Sequence, residues 1–115
     1  MTETERIETF LRDQTAHWNA GDKQAFLEDY RRAAPAGLSI EYVGRPPQDG
    51  WPVLEQMWEQ QQAKILVEPL MKIINGNEAA CHIRNVIKGT DRAIVTIELY
   101  RFEEGRLFVR YFIKQ

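Results

Sequence analysis

The sequence has few of the residues from which a metal site or a disulfide framework could be built. Its 115 residues include one cysteine, Cys81, and two histidines, His17 and His82. A lone cysteine cannot form an internal disulfide, and these three residues do not have the spacing of metal-ligand motifs. We therefore expect no metal and no other cofactor.

Long hydrophobic runs and an excess of positive charge are also missing. The longest apolar runs, such as 107–109, span a few residues, whereas a membrane-spanning helix needs ~20. Lysine and arginine number 15 against 17 aspartate and glutamate residues, so no basic field attracts a phosphate backbone. The first six residues, 1–6, lack the basic and apolar segments of a secretion signal. These absences predict a soluble, cytoplasmic protein without a membrane or nucleic-acid partner.

The chain has the length of one domain, residues 1–115, and 43% of its residues are apolar, which is enough for a core. In the first half, apolar residues recur at helical spacing from Ile7 to Trp18, after a capping-box pattern at Thr2 and Glu5. A second apolar stripe follows Asp22 and ends before Pro35.

A short alternating segment near 38–43 predicts a strand, and Pro52 fits the first turn of a third helix. From Ile65 onward, β-branched and aromatic residues dominate, and turn signals arrive about every 12 residues. They predict strands near 66–74, 78–88, 92–102 and 106–114, with Pro69 at a bulge or a sheet edge.

This order resembles the nuclear-transport-factor-two-like superfamily, which includes SnoaL-like polyketide cyclases and ketosteroid isomerases. The resemblance covers almost the whole chain and is carried by three segments: Trp18-Asn19-Ala20-Gly21-Asp22 with Tyr30, the loop from Glu41 to Gly50, and the turn from Tyr100 to Leu107. It implies an α+β fold with three N-terminal helices packed on a strongly curved, mostly antiparallel sheet, a cone-shaped half-barrel with a pocket. This scaffold hosts enzymes and non-enzymes, so the fold alone does not give the function.

Comparison with ketosteroid isomerases implies site residues. Glu41 stands at the position of the aspartate that moves the substrate proton, and Glu98 at the position of a pocket aspartic acid. Gln14 replaces a helix-one tyrosine, a departure that weakens the isomerase hypothesis. The pattern of the strand itself would also allow Glu41 to face solvent.

The spacing of the last hairpin predicts a partner for Glu98. A three-residue loop over 103–105 would place Glu98 directly opposite Arg110, and the two would form an ion pair. Such a pair keeps a carboxylate ionised, so Glu98 could be either a pocket acid or only the partner of Arg110. Arg110 or Gln14 would then polarise a substrate carbonyl.

The other predicted pocket residues are mainly aromatic, and each could equally belong to the core. They are Gln14, Trp18, Tyr30, Met57, Trp58, Cys81, Tyr100, Phe108 and Phe112. As a set they predict a pocket for a small apolar molecule, with Cys81 as a small filler.

Three functions are compatible with this pattern. The first is a cofactor-independent isomerase, cyclase or dehydratase that acts on a steroid-like or polyketide-like carbonyl compound, with Glu41 as the base. The second is a ligand-binding or regulatory domain without catalysis. The third is a structural dimerisation module, which predicts a filled pocket.

A homodimer is expected because the last hairpin is apolar on both faces and three helices can cover only one. The predicted faces are Val95, Ile97, Leu99, Val109, Tyr111 and Ile113 on one side, and Ile94, Tyr100, Phe102, Phe108 and Phe112 on the other.

Overall fold

A computed structural model describes all residues, 1–115, as three helices and six strands. The helices are α1 (Glu3–Ala20), α2 (Lys23–Ala33) and α3 (Gly50–Gln61). The strands are β1 (Gly37–Tyr42), β2 (Gln48–Asp49), β3 (Ile65–Asn75), β4 (Glu78–Ile87), β5 (Ala93–Glu103) and β6 (Arg106–Ile113). None of the helices is long and apolar enough to span a membrane.

The ends of the first two helices are set by the residues that the sequence indicated. The Thr2 hydroxyl accepts a hydrogen bond from the Glu5 backbone N–H, and the Glu5 carboxylate accepts one from the Thr2 backbone N–H, which confirms the capping box. Gly21 ends α1 in the left-handed conformation, with φ of 73°. Asp22 then caps α2 by accepting a hydrogen bond from the Ala25 N–H.

The six strands form one curved, open sheet in the order β2-β1-β6-β5-β4-β3. The β1–β6 pair is parallel, and every other neighbouring pair is antiparallel. The helices cover the concave face, so the core lies between them and the inward-facing side chains of the sheet. The predicted α+β fold class is confirmed.

Strand β3 lies at one edge of the sheet, and its pairing with β4 shifts between Pro69 and Met71. The prediction that Pro69 marks a bulge or an edge is thus confirmed on both counts, since proline cannot donate to a strand ladder. Strand β2 was not predicted. It pairs only two residues with β1, which is too short to give an alternating pattern.

The predicted register of the last hairpin is wrong by one residue. The loop is a two-residue turn, Glu104-Gly105, in which both residues have positive φ (52° and 75°), and Glu103 pairs with Arg106. Turns of this kind match the twist of the flanking strands. A one-residue shift moves every side chain of a strand to the other face. Arg110 therefore lies opposite Leu99, not opposite Glu98.

The end of α1 is tied to the edge strand by polar contacts. The Asn19 side-chain amide donates to the Val67 carbonyl oxygen and accepts from the Val67 N–H, both at 2.9 Å. The Trp18 indole N–H donates to the Ile65 carbonyl oxygen at 3.1 Å. These bonds fix α1 over the mouth of the sheet and thereby position the cavity described next.

Candidate functional site

A cavity of about 540 Å³ lies between the three helices and the concave face of the sheet. Most of its wall is apolar, which suits a small organic ligand. Polar and ionisable side chains interrupt this wall, and three of them carry a charge, namely Arg12, Lys72 and Glu98. The full polar and ionisable set is Arg12, Gln14, Thr15, Tyr30, Tyr42, Gln61, Lys72, Cys81, Asn85, Thr96, Glu98, Tyr100 and Tyr111.

Five of these side chains form a single row across the sheet. Lys72 pairs with Cys81, Cys81 with Glu98, Glu98 with Tyr111, and Tyr111 with Tyr42. Directly paired residues of neighbouring strands point to the same face. The row therefore places one carboxylate in the middle, phenol hydroxyls on one side, and a thiol and an ammonium group on the other.

Glu98 is the only carboxylate among the residues that line the cavity. Its Oε1 accepts a hydrogen bond from the Tyr100 hydroxyl at 2.7 Å, and its Oε2 accepts one from the Thr96 hydroxyl at 2.9 Å. Burial raises the pKa of Glu98, and these two bonds oppose the rise only in part. Glu98 is thus a fixed carboxyl group that gains a proton more readily than one in water.

The tyrosines around Glu98 are held in their neutral form. Burial is the main cause that raises the pKa of Tyr30, Tyr100 and Tyr111, and the nearby Glu98 carboxylate raises each of them further. The pKa of the half-buried Tyr42 is raised by the same two causes. A neutral phenol has one hydrogen to donate, and the hydroxyls of Tyr100 and Tyr30 already donate theirs to Glu98 and Gln14. Tyr42 and Tyr111 are therefore the phenols that suit a substrate oxygen that gains negative charge.

Cys81 is a poor nucleophile in this setting. Burial and the nearby Glu98 carboxylate raise the pKa of its thiol to about 11. The thiol is therefore protonated at neutral pH and contributes a small apolar surface to the wall.

The structure brings six of the nine predicted binding residues to the cavity wall: Gln14, Trp18, Tyr30, Met57, Cys81 and Tyr100. The other three lie elsewhere. Trp58 packs in the core against Trp18 and Phe26, with ring centroids 5.3 Å apart in each pair. Phe108 and Phe112 point to the convex face, because the register of β6 is shifted by one residue.

The one-residue difference in the register of β5 and β6 also places Arg110 outside the cavity. On the convex face its guanidinium contacts the Glu41 carboxylate through two contacts of 3.3 Å, and it lies over the Phe112 ring at 5.1 Å. Glu41 and Arg110 are paired residues of the parallel β1 and β6 strands. The expected Glu98–Arg110 ion pair is therefore wrong, and the observed pair is Glu41–Arg110.

Glu41, the predicted base, thus lies outside the cavity. The inward-facing residues of β1 are Leu38, Ile40 and Tyr42, and the Glu41 side chain alternates to the other face. Glu41 therefore lies on the outer face of the sheet, as the alternating pattern of the strand allowed. Tyr42, the next residue, occupies the place in the cavity instead.

Gln14 is in the cavity, but its amide is already engaged. Its Nε2 donates to the Leu11 carbonyl oxygen at 3.3 Å and to the Thr15 hydroxyl at 3.1 Å, while its Oε1 accepts from the Tyr30 hydroxyl at 3.4 Å. These bonds orient Gln14 towards the wall. Polarising a substrate carbonyl would require Gln14 to break one of them.

Several residues of the site were missed by the sequence reasoning. Thr96 lies two residues before Glu98, and period-two alternation places it on the same face, so it could have been found. Tyr42 was assigned to the apolar side of β1 without a role. Tyr111 was placed on the wrong face by the register error, and no sequence signal pointed to Lys72 or Arg12.

No family model matches the sequence, and no curated protein matches it. Solved structures do match its fold. An NTF-2 like protein of unknown function from Burkholderia xenovorans has a TM-score of 0.78 at 14% identity, over 98% of this chain and 86% of that one. A proposed ketosteroid isomerase from Kribbella flavida has a TM-score of 0.76 at 12% identity, over 96% and 79%.

A proposed polyketide cyclase from Xanthomonas campestris has a TM-score of 0.64 at 12% identity, over 96% of this chain and 91% of that one. Identities this low establish the shared architecture and leave the chemistry to be argued from the site. The resemblance drawn from the sequence is confirmed at the level of the fold: the chain has the architecture of the nuclear-transport-factor-two-like superfamily.

Proposed function

We propose that this protein is a cofactor-independent isomerase or related acid/base enzyme that transfers a proton within a small, largely apolar carbonyl compound, with Glu98 as the proton-transferring group. The observation that carries the proposal is the setting of Glu98. It is the one carboxylate in an apolar cavity, it is held by two hydroxyl groups, and its pKa is raised.

The raised pKa matters because a carboxylate with its ordinary pKa of ~4.3 is a weak base at neutral pH. In the ionised form, Glu98 accepts a proton from the carbon next to the carbonyl group. The electron pair of that C–H bond moves towards the carbonyl, and its oxygen becomes an enolate. The protonated Glu98 then returns the proton to another carbon of the conjugated system, so no other reactant is consumed.

The developing enolate oxygen needs hydrogen-bond donors. Tyr111 and Tyr42 are the two phenols of the row that also contains Glu98: Tyr111 is directly opposite Glu98, and Tyr42 is one strand further. Their rings pack together with centroids 5.5 Å apart. This arrangement replaces Arg110, which the sequence suggested for the same role, and preorganised donors of this kind stabilise the charge where it develops.

Two other functions use the same fold. Two features favour a ligand-binding domain without catalysis. The Gln14 amide is already hydrogen-bonded within the protein. Glu98 accepts two hydrogen bonds, which would also be expected of a carboxyl group with a purely structural role. The structural-module hypothesis predicts a filled pocket, and the cavity argues against it.

The test is turnover of a panel of β,γ-unsaturated ketones, lactones and epoxides, followed by ultraviolet absorbance or mass spectrometry, with Glu98→Gln as the variant. The amide is nearly isosteric and cannot accept the proton. Turnover by the wild type and a loss of ~10²-fold or more in the variant would support the proposal. Binding without turnover by the wild type would support the ligand-binding function instead.

We also propose a homodimer through the convex face of the sheet. Contrary to the predicted faces, Phe108 and Phe112 lie on this face with Val95, Ile97 and Leu99, whereas Val109, Tyr111 and Ile113 face inwards. Exposed apolar side chains on it include Ile73, Ile97 and Phe112. Sedimentation analysis at micromolar concentration should give the mass of two chains, and a monomer would contradict the proposal.

A further inference from the structure

Two cations line the cavity, and one of them, Lys72, stands at the end of the row that is opposite to Tyr111 and Tyr42. Lys72 and Arg12 are the only positively charged side chains that line it, and Glu98 is the only negatively charged one. Lys72 lies on β3 and Arg12 on α1, so the two side chains approach the cavity from the sheet and from the helix that packs on it. The wall therefore carries more positive than negative charge when all three groups are ionised.

Lys72 stands at a defined distance from Glu98. Its row partner is Cys81, whose own partner on the next strand is Glu98. Neighbouring strands are ~4.8 Å apart, so the backbones at Lys72 and Glu98 are separated by ~10 Å. The Lys72 charge also acts on the Cys81 thiol, whose pKa it lowers against the larger effect of burial. Lys72 itself lines the cavity, with 38% of its side chain exposed to solvent.

Both cations are weakly engaged by protein carboxylates. The Lys72 ammonium is 3.6 Å from the Glu8 carboxylate, and more than half of the Glu8 side chain is exposed to solvent. Arg12 uses its Nε to contact Asp13 at 3.1 Å, which leaves its two terminal NH₂ groups outside that bond. Exposed pairs of this kind contribute little, so a ligand anion can compete for both cations.

We infer that the ligand of this cavity is an amphipathic anion: an apolar body that fills the pocket, with a carboxylate or a similar anionic group bound by Lys72 and Arg12. This inference deepens the proposed function and rests on it only for the role of Glu98. In that case, the anionic group and the reacting carbons of the ligand lie at different parts of the cavity, because Lys72 and Glu98 stand two strands apart in the row. A neutral compound of the same shape fills the same space but leaves the two cations without a ligand.

The inference can be tested without knowledge of the natural ligand. N-phenylnaphthylamine, a neutral apolar dye, serves as the fluorescent reporter of the cavity. Phenylbutanoate and phenylbutanamide, which differ in one terminal group, serve as competitors at low ionic strength. We expect the acid to displace the dye at a concentration about fivefold lower than the amide.

The variant is the double substitution Arg12→Gln and Lys72→Gln. It should bring the acid-to-amide ratio close to one while the amide displaces the dye as before. The matched control is Arg31→Gln with Lys88→Gln, which removes the same charge from exposed positions that do not line the cavity and should keep the wild-type ratio. A ratio of one in the wild type, or an unchanged ratio in the cavity variant, would overturn the inference and leave the proposed function standing. Failure of both compounds to displace the bound dye would also overturn the inference, whereas the proposed function is decided separately by the turnover assay with Glu98→Gln.

Discussion

Glu98 on β5 lies directly opposite Tyr111 on β6, and both side chains point into the cavity. The pairing has a consequence for charge. A phenol opposite the carboxylate leaves it without a cation, whereas an arginine there would hold it ionised. Because no positive charge is paired with Glu98, burial determines the direction in which its pKa moves, which is upwards.

The first prediction tests this pairing. A double-mutant cycle on Glu41→Gln and Arg110→Gln should give a coupling of ~0.2–1 kcal/mol, since the observed pair is partly exposed. The same cycle on Glu98→Gln and Arg110→Gln should give none. The free energies of unfolding come from urea denaturation. Coupling between positions 98 and 110, with none between 41 and 110, would restore the register that the sequence suggested.

The second prediction concerns the stability of the protein against pH. The folded-state pKa of Glu98 is raised, so a proton is bound more tightly in the folded state than in the unfolded state. The contribution of Glu98 is therefore most favourable below the ordinary pKa of ~4.3 and is lost as the pH rises through the folded value. Glu98→Gln should remove this loss.

The measurement is the denaturation midpoint of the wild type and of Glu98→Gln from pH ~4 to pH ~8, a range that begins near the ordinary glutamate pKa of ~4.3 and extends above it. We expect the variant to gain stability relative to the wild type as the pH rises. A variant that loses relative stability as the pH rises would mean that the carboxylate stabilises the fold in its charged form.

The third prediction concerns His17, whose Nδ1 is 2.5 Å from Oδ2 of the buried Asp29. The hydrogen bond to Asp29 is the main cause that raises the pKa of His17. Its stabilising effect is fully present below the ordinary pKa of ~6.5 and is lost as the pH rises through the folded value. His17→Gln should remove up to ~1 kcal/mol at pH ~6 and less at higher pH. A constant loss at all pH values would contradict this origin.

The fourth prediction concerns the contact between α1 and the edge strand. Asn19→Ala removes two hydrogen bonds and leaves the backbone groups of Val67 without these partners, so it should cost ~1–3 kcal/mol of unfolding free energy. Asn77→Ala is the matched control, because the Asn77 side chain makes one such bond, to the Phe102 carbonyl oxygen. If Asn77→Ala loses as much unfolding free energy as Asn19→Ala, or more, the two Asn19 hydrogen bonds do not stabilise the protein more than a single side-chain bond does.

The sequence was sufficient for the fold because its signals are local and mutually consistent. The Thr2–Glu5 capping box, the stop at Gly21 and the bulge at Pro69 each follow from the chemistry of one or two residues. Hydrophobic periodicity then places the helices and strands, and their order resembles one superfamily. None of these steps depends on which residue of one strand faces which residue of the next.

The site depends on that register, and the sequence was insufficient there. A two-residue and a three-residue turn at Glu104-Gly105 are both compatible with the sequence. The observed two-residue turn requires a positive φ at Glu104, which a glutamate rarely adopts and which the sequence therefore does not predict. The choice between the turns decides whether Tyr111 or Arg110 enters the cavity. For Glu41, the alternating pattern of β1 was the better guide to its position than the analogy with the isomerases.

The comparison of Glu98→Gln with Glu41→Gln in one assay tests the central claim most directly. Both variants make the same chemical change, one inside the cavity and one on the convex face. With any unsaturated ketone that the wild type isomerises, we expect kcat/KM to fall by ~10²-fold or more in Glu98→Gln and by less than about twofold in Glu41→Gln. The opposite order, with activity lost in Glu41→Gln and kept in Glu98→Gln, would contradict the assignment of proton transfer to Glu98.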